Sequence, residues 1–303
     1  MKINLNKNRK VINSTMKSNF KNFITSLLKR GNIGNKHMEK YTSEENLKLF
    51  QIAFTHKSYD PDVNYELPEL IGDGIVNFSV TNYLREWDPN IVSVKYLTRL
   101  KHNITSKKEL ATIAEKAGFW DHILISDELS EKFKPMTLDY KHKNKEYMSL
   151  LEDSFEAFIG TVKLVIEKYS DVETIGVTIC YQIIKSFLKE IKISLKYEDI
   201  FDAKTRFKEL CDKRGWDFST AMKTRDAHEQ VTTDIVRRMF EVTVYGYPLG
   251  SKAKEDNNRI ILACLKRPIK MDAQNDAAEA SLTLLKNRYN IFDIPQDPYT
   301  RKN

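Results

Sequence analysis

Three carboxylates, Glu66, Glu69 and Asp73, fall within the ten residues YELPELIGDG at positions 65–74. Their spacings put all three on one face of a helix. Like charges at such spacings repel, so a helix carrying them calls for something cationic beside it. A second acidic stretch, LLEDSFEAFIG at 150–160, sets Asp153 and Glu156 three residues apart on a helix whose Leu151, Phe155, Phe158 and Ile159 form a broad apolar surface. Either cluster alone reads as an ordinary solvated acidic face. Two of them on helices that pack antiparallel would gather Glu69, Asp73, Asp153 and Glu156, with Glu66 at the edge, into one pocket. Hard oxygen donors without His or Cys suit Mg²⁺, or Mn²⁺ in its place, rather than zinc. Such a pocket can activate water against a phosphodiester, and a second metal would steady the leaving oxygen. The small residues Gly72 and Ala157 allow close approach of the helices or of a substrate backbone.

The rest of the chain predicts a mainly α protein. Met16, Phe20, Phe23, Ile24, Leu27 and Leu28 recur at helical spacing up to Gly31, and Thr42 with Glu45 reads as a capping box opening the next helix. Further helices are expected around 66–86, 92–117, 145–169 and 172–195. Pro68 fits a helix only in its first turn, so the 66–86 helix should start near Tyr65 or Glu66. After LKYEDIFDAK, which reads as a linker, a helix over 203–214, alternating stretches such as FEVTVYG and RIILACL, and a helix over about 271–287 predict a small α+β unit of order α-β-β-β-α. The expected organisation is an arm over 1–15, a helical domain over 16–195, the α+β domain over 198–290 and a tail over 291–303.

Charge and cysteine content narrow the setting. Residues 1–40 carry ten Lys or Arg against the single acid Glu39, whereas the whole chain nets only +7. A basic arm on a nearly neutral body predicts contact with a polyanion, most commonly nucleic acid. No apolar run is long enough for a transmembrane helix, and no apolar core follows the basic N-terminus as in a secretory signal. Three cysteines without a CxxC pair support neither a disulfide framework nor a zinc site. An intracellular setting is expected, cytoplasm and nucleus being equally compatible, with no membrane partner.

At these motifs the chain resembles the ribonuclease III family. AFTHKSY (53–59), ELPELIGDGIV (66–76), YLTRLKHNIT (96–105) and LEDSFEAFIGTV (151–162) resemble the family's segments in order, over roughly 42–165. The resemblance implies an all-helical endonuclease domain that works as a homodimer, with the first acidic helix at the interface. It implies Mg²⁺-dependent hydrolysis of double-stranded RNA, leaving 5′-phosphate and 3′-hydroxyl ends. Glu69, Asp73, Asp153 and Glu156 fall on the metal-binding positions, with Asp73 and Glu156 positioning the attacking water and Glu66 assisting. Arg99 and Lys101 are expected phosphate contacts, and His56 a structural residue. Three positions depart from the family pattern: Pro68, Gly74 where alanine is usual, and Val94-Lys95 where an acid often precedes the LTRL segment. The alternative is a non-catalytic ribonuclease III-like scaffold that binds RNA or protein. Such scaffolds usually lose part of the carboxylate set, which here is complete.

The C-terminal unit resembles a double-stranded-RNA-binding domain less closely, through DAKTRFKELCDKRGW (202–216) and IKMDAQNDAAEASLTLL (269–285). The resemblance places Thr205, Lys208 and Glu209 on the face that reads the minor groove. It places Lys270 among the phosphate-gripping lysines at the last helix, with Lys266 and Arg267 just upstream as substitutes. Between 198 and 290 there are 17 basic and 15 acidic residues, which predicts weak RNA binding. Part of the grip would then fall to Lys2, Lys7, Arg9, Lys10, Lys17 and Lys21.

Overall fold

A computed structural model describes residues 14–172, 174–230, 236–247, 259–293, 295 and 298–299, so most of the expected basic arm lies outside the described residues. The chain divides into two compact units, residues 1–192 and 193–303. The first is helical: α1 (Ser14–Lys29), α2 (Asn35–Tyr41), α3 (Glu44–Ala53), α4 (Glu66–Trp87), α5 (Val94–Ile104), α6 (Lys107–Lys116), a 3₁₀ turn (Phe119–His122), α7 (Asp127–Phe133), α8 (Leu138–Lys141), α9 (Lys145–Glu167) and α10 (Ile175–Leu188).

Helix α9 is the axis of this unit. Asn144 caps it by accepting from the amides of Glu146 and Tyr147 at 3.0 and 3.1 Å. From Leu150 onward it is buried nearly all round, and α3, α4, α6 and α10 pack against it. A helix apolar on every side belongs at the centre of a bundle. An aromatic cluster of Phe20, Phe23, Phe54, Phe119, Phe155 and Phe158 fills one side, with the His122 ring stacked 4.0 Å from Phe23.

The contact between α4 and α9 is made through glycine. A Cβ placed on Gly72 would lie 1.8 Å from the carbonyl oxygen of Glu156, and one on Gly160 would lie 2.0 Å from the carbonyl oxygen of Pro68. The backbones therefore touch with no side chain between them, and the two contacts run in opposite order along the helices. Pro68 is tolerated because α4 starts at Glu66, which leaves the proline among the first-turn residues that lack an intrahelical amide partner. Its carbonyl then faces Gly160.

Several boundaries differ from the sequence expectation. Ser43 rather than Thr42 caps α3, accepting from the Asn46 amide at 3.4 Å. The Thr42 hydroxyl instead donates to the Met38 carbonyl at the end of α2. The expected helix over 92–117 is broken at Thr105, because Ser106 accepts from the Glu109 amide and starts α6. Helix α1 begins at Ser14, inside the expected arm, and Lys17 and Lys21 are exposed on it.

The second unit comprises α11 (Tyr197–Ile200), α12 (Ala203–Arg214), α13 (Phe218–Ala221), antiparallel strands β1 (Met222–Gln230), β2 (Val236–Gly246) and β3 (Ile260–Arg267) in that order, and α14 (Lys270–Tyr289). The strands pair Met222 with Val244 and Val242 with Leu265. Helices α12 and α14 cover one face through Phe207, Leu210, Ala273, Ala277 and Leu285. The stretch read as a linker is part of the packing, since Tyr197, Ile200 and Phe201 are buried. The start of the expected tail is also held: Ile291 is buried, and Asp293 accepts from the buried Arg206 guanidinium at 2.7 Å. No helix among the described residues is long and apolar enough to cross a membrane.

Two glycines of α4 should respond oppositely to alanine. Gly72→Ala must push the helices apart and should cost about 1–3 kcal/mol or more. Gly74 has nothing near its Cβ position, so Gly74→Ala should be neutral or gain up to about 1 kcal/mol from helix propensity. Urea denaturation of both variants checks this, and equal stabilities would contradict the crossing.

Candidate active site

The crossing decides where the acids stand. With Gly72 against Glu156, the carboxylates one turn either side of the contact face a common space. Glu156 is 8% exposed, Glu69 and Asp153 are half-buried, and Asp73 and Glu66 are exposed at the edge. Partners orient two of them. The Tyr65 hydroxyl, itself buried, donates to Asp153 Oδ2 at 3.0 Å, and the Asn77 amide donates to Asp73 Oδ1 at 2.7 Å. Glu66 turns outward to the Lys57 ammonium at 3.1 Å, which agrees with an auxiliary place at the rim.

Charge crowding is visible in the titration of these groups. Burial, then the charges of Asp73, Glu152, Glu69 and Asp153, push the Glu156 carboxyl up to about 8. Burial, then Asp153, Glu66 and Glu152, push Glu69 up to about 7, against the pull of Lys107. Asp153 is raised by burial, opposed by the Tyr65 hydrogen bond and by Lys107, His56 and Lys57. The Tyr65 hydroxyl is driven far upward by its own burial and by Asp153, so it stays a donor. His56 is pushed down, chiefly by burial, and its Nδ1 accepts from the Ser58 amide at 3.1 Å; it supports the site's edge as a neutral ring.

Three residues of this space escaped the sequence reading. Glu152 lies one turn before Glu156 on the same face, and burial raises its carboxyl while Lys107 opposes the rise. Lys107, the first residue of α6, pairs with Glu152 and donates to the Ser149 hydroxyl at 2.9 Å. Tyr65 was quoted only as a helix boundary. The i to i+4 spacing of Glu152 and Glu156 was the available signal for the first; nothing in sequence reports that α6 abuts α9.

Among the described residues no three of these carboxylates stand close enough to enclose a metal ion as they are placed. They are neighbours through charge rather than a finished ligand shell. The donor set nonetheless fits a hard divalent cation: several carboxylate oxygens, partly dehydrated, and repelling one another strongly enough to hold protons near neutrality. The carboxylates would close around such an ion by rotation about their own side-chain bonds.

The expected RNA-contacting residues are dispersed. Arg99 and Lys101 lie on α5, and Lys101 lines a groove of about 280 Å³ with Thr81, Leu84, Arg85, Val94, Leu97 and Thr98. In the second unit Lys208 and Lys270 are exposed, on α12 and at the start of α14. Glu209 accepts from the Tyr197 hydroxyl at 2.7 Å, and the Thr205 hydroxyl donates to Asp202 at 2.8 Å. The two substitutes are already occupied, Lys266 by Glu241 at 3.2 Å and Arg267 by Asp276 at 2.7 Å.

Comparison with known proteins follows this geometry. Residues 68–165 match the model of the Ribonuclease III domain. A protein of Frog virus 3 (isolate Goorha) named ribonuclease 3 is 35% identical over 167 residues, covering 54% of this chain and 42% of that protein. One of Invertebrate iridescent virus 6 with the same name is 28% identical over 295 residues, covering 92% and 91%. The chain thus spans less than half of the first relative and most of the second. The nuclease domain of ribonuclease III from Campylobacter jejuni is similar at 24% identity and a TM-score of 0.41, covering 55% of this chain and 96% of that domain.

A pH dependence follows from the crowding. The model-compound value for Glu69 and Glu156 is 4.5, and both are raised in the folded chain, to about 7 and about 8. The folded state therefore binds more protons than the unfolded state across that window, and stability falls as pH rises through it. Thermal midpoints of the metal-free chain should drop between about pH 5 and pH 8, and Glu156→Gln should flatten the drop. A wild-type profile no steeper than that of Glu156→Gln would contradict the crowding.

Proposed function

The chain belongs to the ribonuclease III family through its domain at 68–165, and from that premise we propose that it is an endoribonuclease hydrolysing double-stranded RNA with Mg²⁺, or Mn²⁺ in its place. The observation that carries the reading is the glycine-to-backbone contact of α4 with α9, which sets two acidic helix faces against one another. Glu69, Asp73, Asp153 and Glu156 would hold the ion. When bound, it supplies Lewis-acid charge that favours attack of water on phosphorus and departure of the 3′ oxygen, leaving 5′-phosphate and 3′-hydroxyl ends.

The chain's own residues do the positioning. Tyr65 fixes the orientation of Asp153, and Asn77 that of Asp73. Asp73, exposed at the mouth, and Glu156, buried behind it, are placed to orient the attacking water between solvent and the pocket floor. His56 is not needed as a base. Lys107 and Lys57 keep positive charge at the rim, where a phosphodiester must approach an otherwise repulsive site.

A homodimer is supported by the face of α4 turned away from α9. Leu67 and Leu70 are 64% and 72% exposed, and Phe78 further along the helix is 56% exposed. The groove lined by Val94 and Leu97 is open as well. An apolar stripe of this kind on a central helix marks an association surface. In the second unit, Thr205, Lys208, Glu209 and Lys270 would touch duplex RNA weakly, because Lys266 and Arg267 must leave carboxylates before they can grip phosphate.

The test is cleavage of a long labelled RNA duplex by the full chain with Mg²⁺, beside EDTA and the variant Asp73→Asn. Cutting is expected only with metal, and Asp73→Asn should slow it by about a hundredfold or more, the scale of losing one charge-stabilising group. Duplex that is bound but left intact by the wild type would contradict the reading.

A further inference from the structure

We infer that Lys107 is a built-in counter-cation of the acidic pocket and that, through Glu152, it sets how tightly the pocket takes a divalent cation. The inference rests on the metal-binding reading above and adds two residues to it. Lys107 is the first residue of α6, whose N-terminus is capped by Ser106, so the ammonium reaches across to α9 from a fixed helix end. It donates to the Ser149 hydroxyl at 2.9 Å and forms an ion pair with Glu152. The Glu152 side chain is only 15% exposed, whereas that of Lys107 is 43% exposed. The carboxylate thus belongs to the pocket wall and the ammonium to its mouth.

The pair is not needed to join its helices. Leu110, Ala111 and Ala114 of α6 are buried, as are Leu150, Leu151 and Phe155 of α9, and the two helices pack closely. Glu152 does, however, enlarge the electrostatic problem, since its charge bears on Glu69 and Glu156 and it feels those of Asp73 and Asp153. Lys107 in turn acts on Glu69, Glu152 and Asp153. One internal ammonium therefore offsets part of the repulsion before any metal arrives. A divalent ion entering the same space meets that ammonium as a like charge, in surroundings where water screens it weakly. Lys107 is thus expected to weaken metal binding while steadying the metal-free fold, and Glu152 holds it in place to do so.

Mn²⁺ titration calorimetry on the full chain, with circular dichroism as a check on folding, tests this. Lys107→Met should bind Mn²⁺ about tenfold more tightly than wild type and melt at lower temperature without metal, and Lys107→Arg should restore both values. Glu152→Gln should move the other way, binding about threefold or more weakly, because it leaves the ammonium unpaired beside fewer negative charges. This second variant decides the matter if Lys107→Met does not fold. Wild type that binds Mn²⁺, with affinities unchanged in the variants, would overturn the inference alone. Wild type that binds no Mn²⁺ would overturn the metal-binding reading and the inference with it.

Discussion

The contact of Gly72 with the Glu156 carbonyl, matched by that of Gly160 with the Pro68 carbonyl, is the constraint on which the first unit depends. Side chains normally keep packed helices 8–10 Å apart. Removing them at both contacts lets the backbones touch, and short acidic side chains on either helix then reach the same space. The same closeness explains why α9 carries so much buried apolar surface. A helix that must hold carboxylates near one another needs strong packing elsewhere, and Phe155, Phe158, Ile159 and Val162 provide it.

The cost of this arrangement is electrostatic. Carboxyls held near neutrality by burial and by one another are poor contributors to stability, and the site is where the fold works against itself. Two devices limit the damage. Hydrogen bonds from Tyr65 and Asn77 fix two of the acids, and the Lys107 ammonium offsets a third that no family pattern called for. The stripe of Leu67, Leu70 and Phe78 lies on the other side of the same helix. One helix therefore carries both the acidic site and the surface best suited to a second copy, which links association to the placement of the acids.

Much of this was legible in the sequence, for physical reasons that can be named. The spacing of Glu69, Asp73, Asp153 and Glu156 is a local property of two helices, and Pro68 allowed the start of α4 to be placed within a residue. The α-β-β-β-α order of the second unit was equally plain, because a change of period from helix to strand is also local. What was missed depends on partners far away in the chain. Lys107 meets Glu152 across 45 positions, and Arg206 meets Asp293 across 87. Thr42 and Ser43 are both plausible caps, and only the burial of Thr42 against α2 chooses between them. Tyr197 and Phe201 looked like linker because their neighbours are polar, yet they pack at the base of the second unit.

The central claim is that the glycine-mediated crossing assembles carboxylates of two helices into a divalent-cation site. Anomalous diffraction from crystals of the full chain grown with Mn²⁺ addresses it directly. The account predicts a strong peak between α4 and α9 in contact with Glu69, Asp73, Asp153 or Glu156, and its loss in Glu156→Gln crystals. Mn²⁺ bound elsewhere, with these carboxylates unliganded at concentrations that support cleavage, would contradict it.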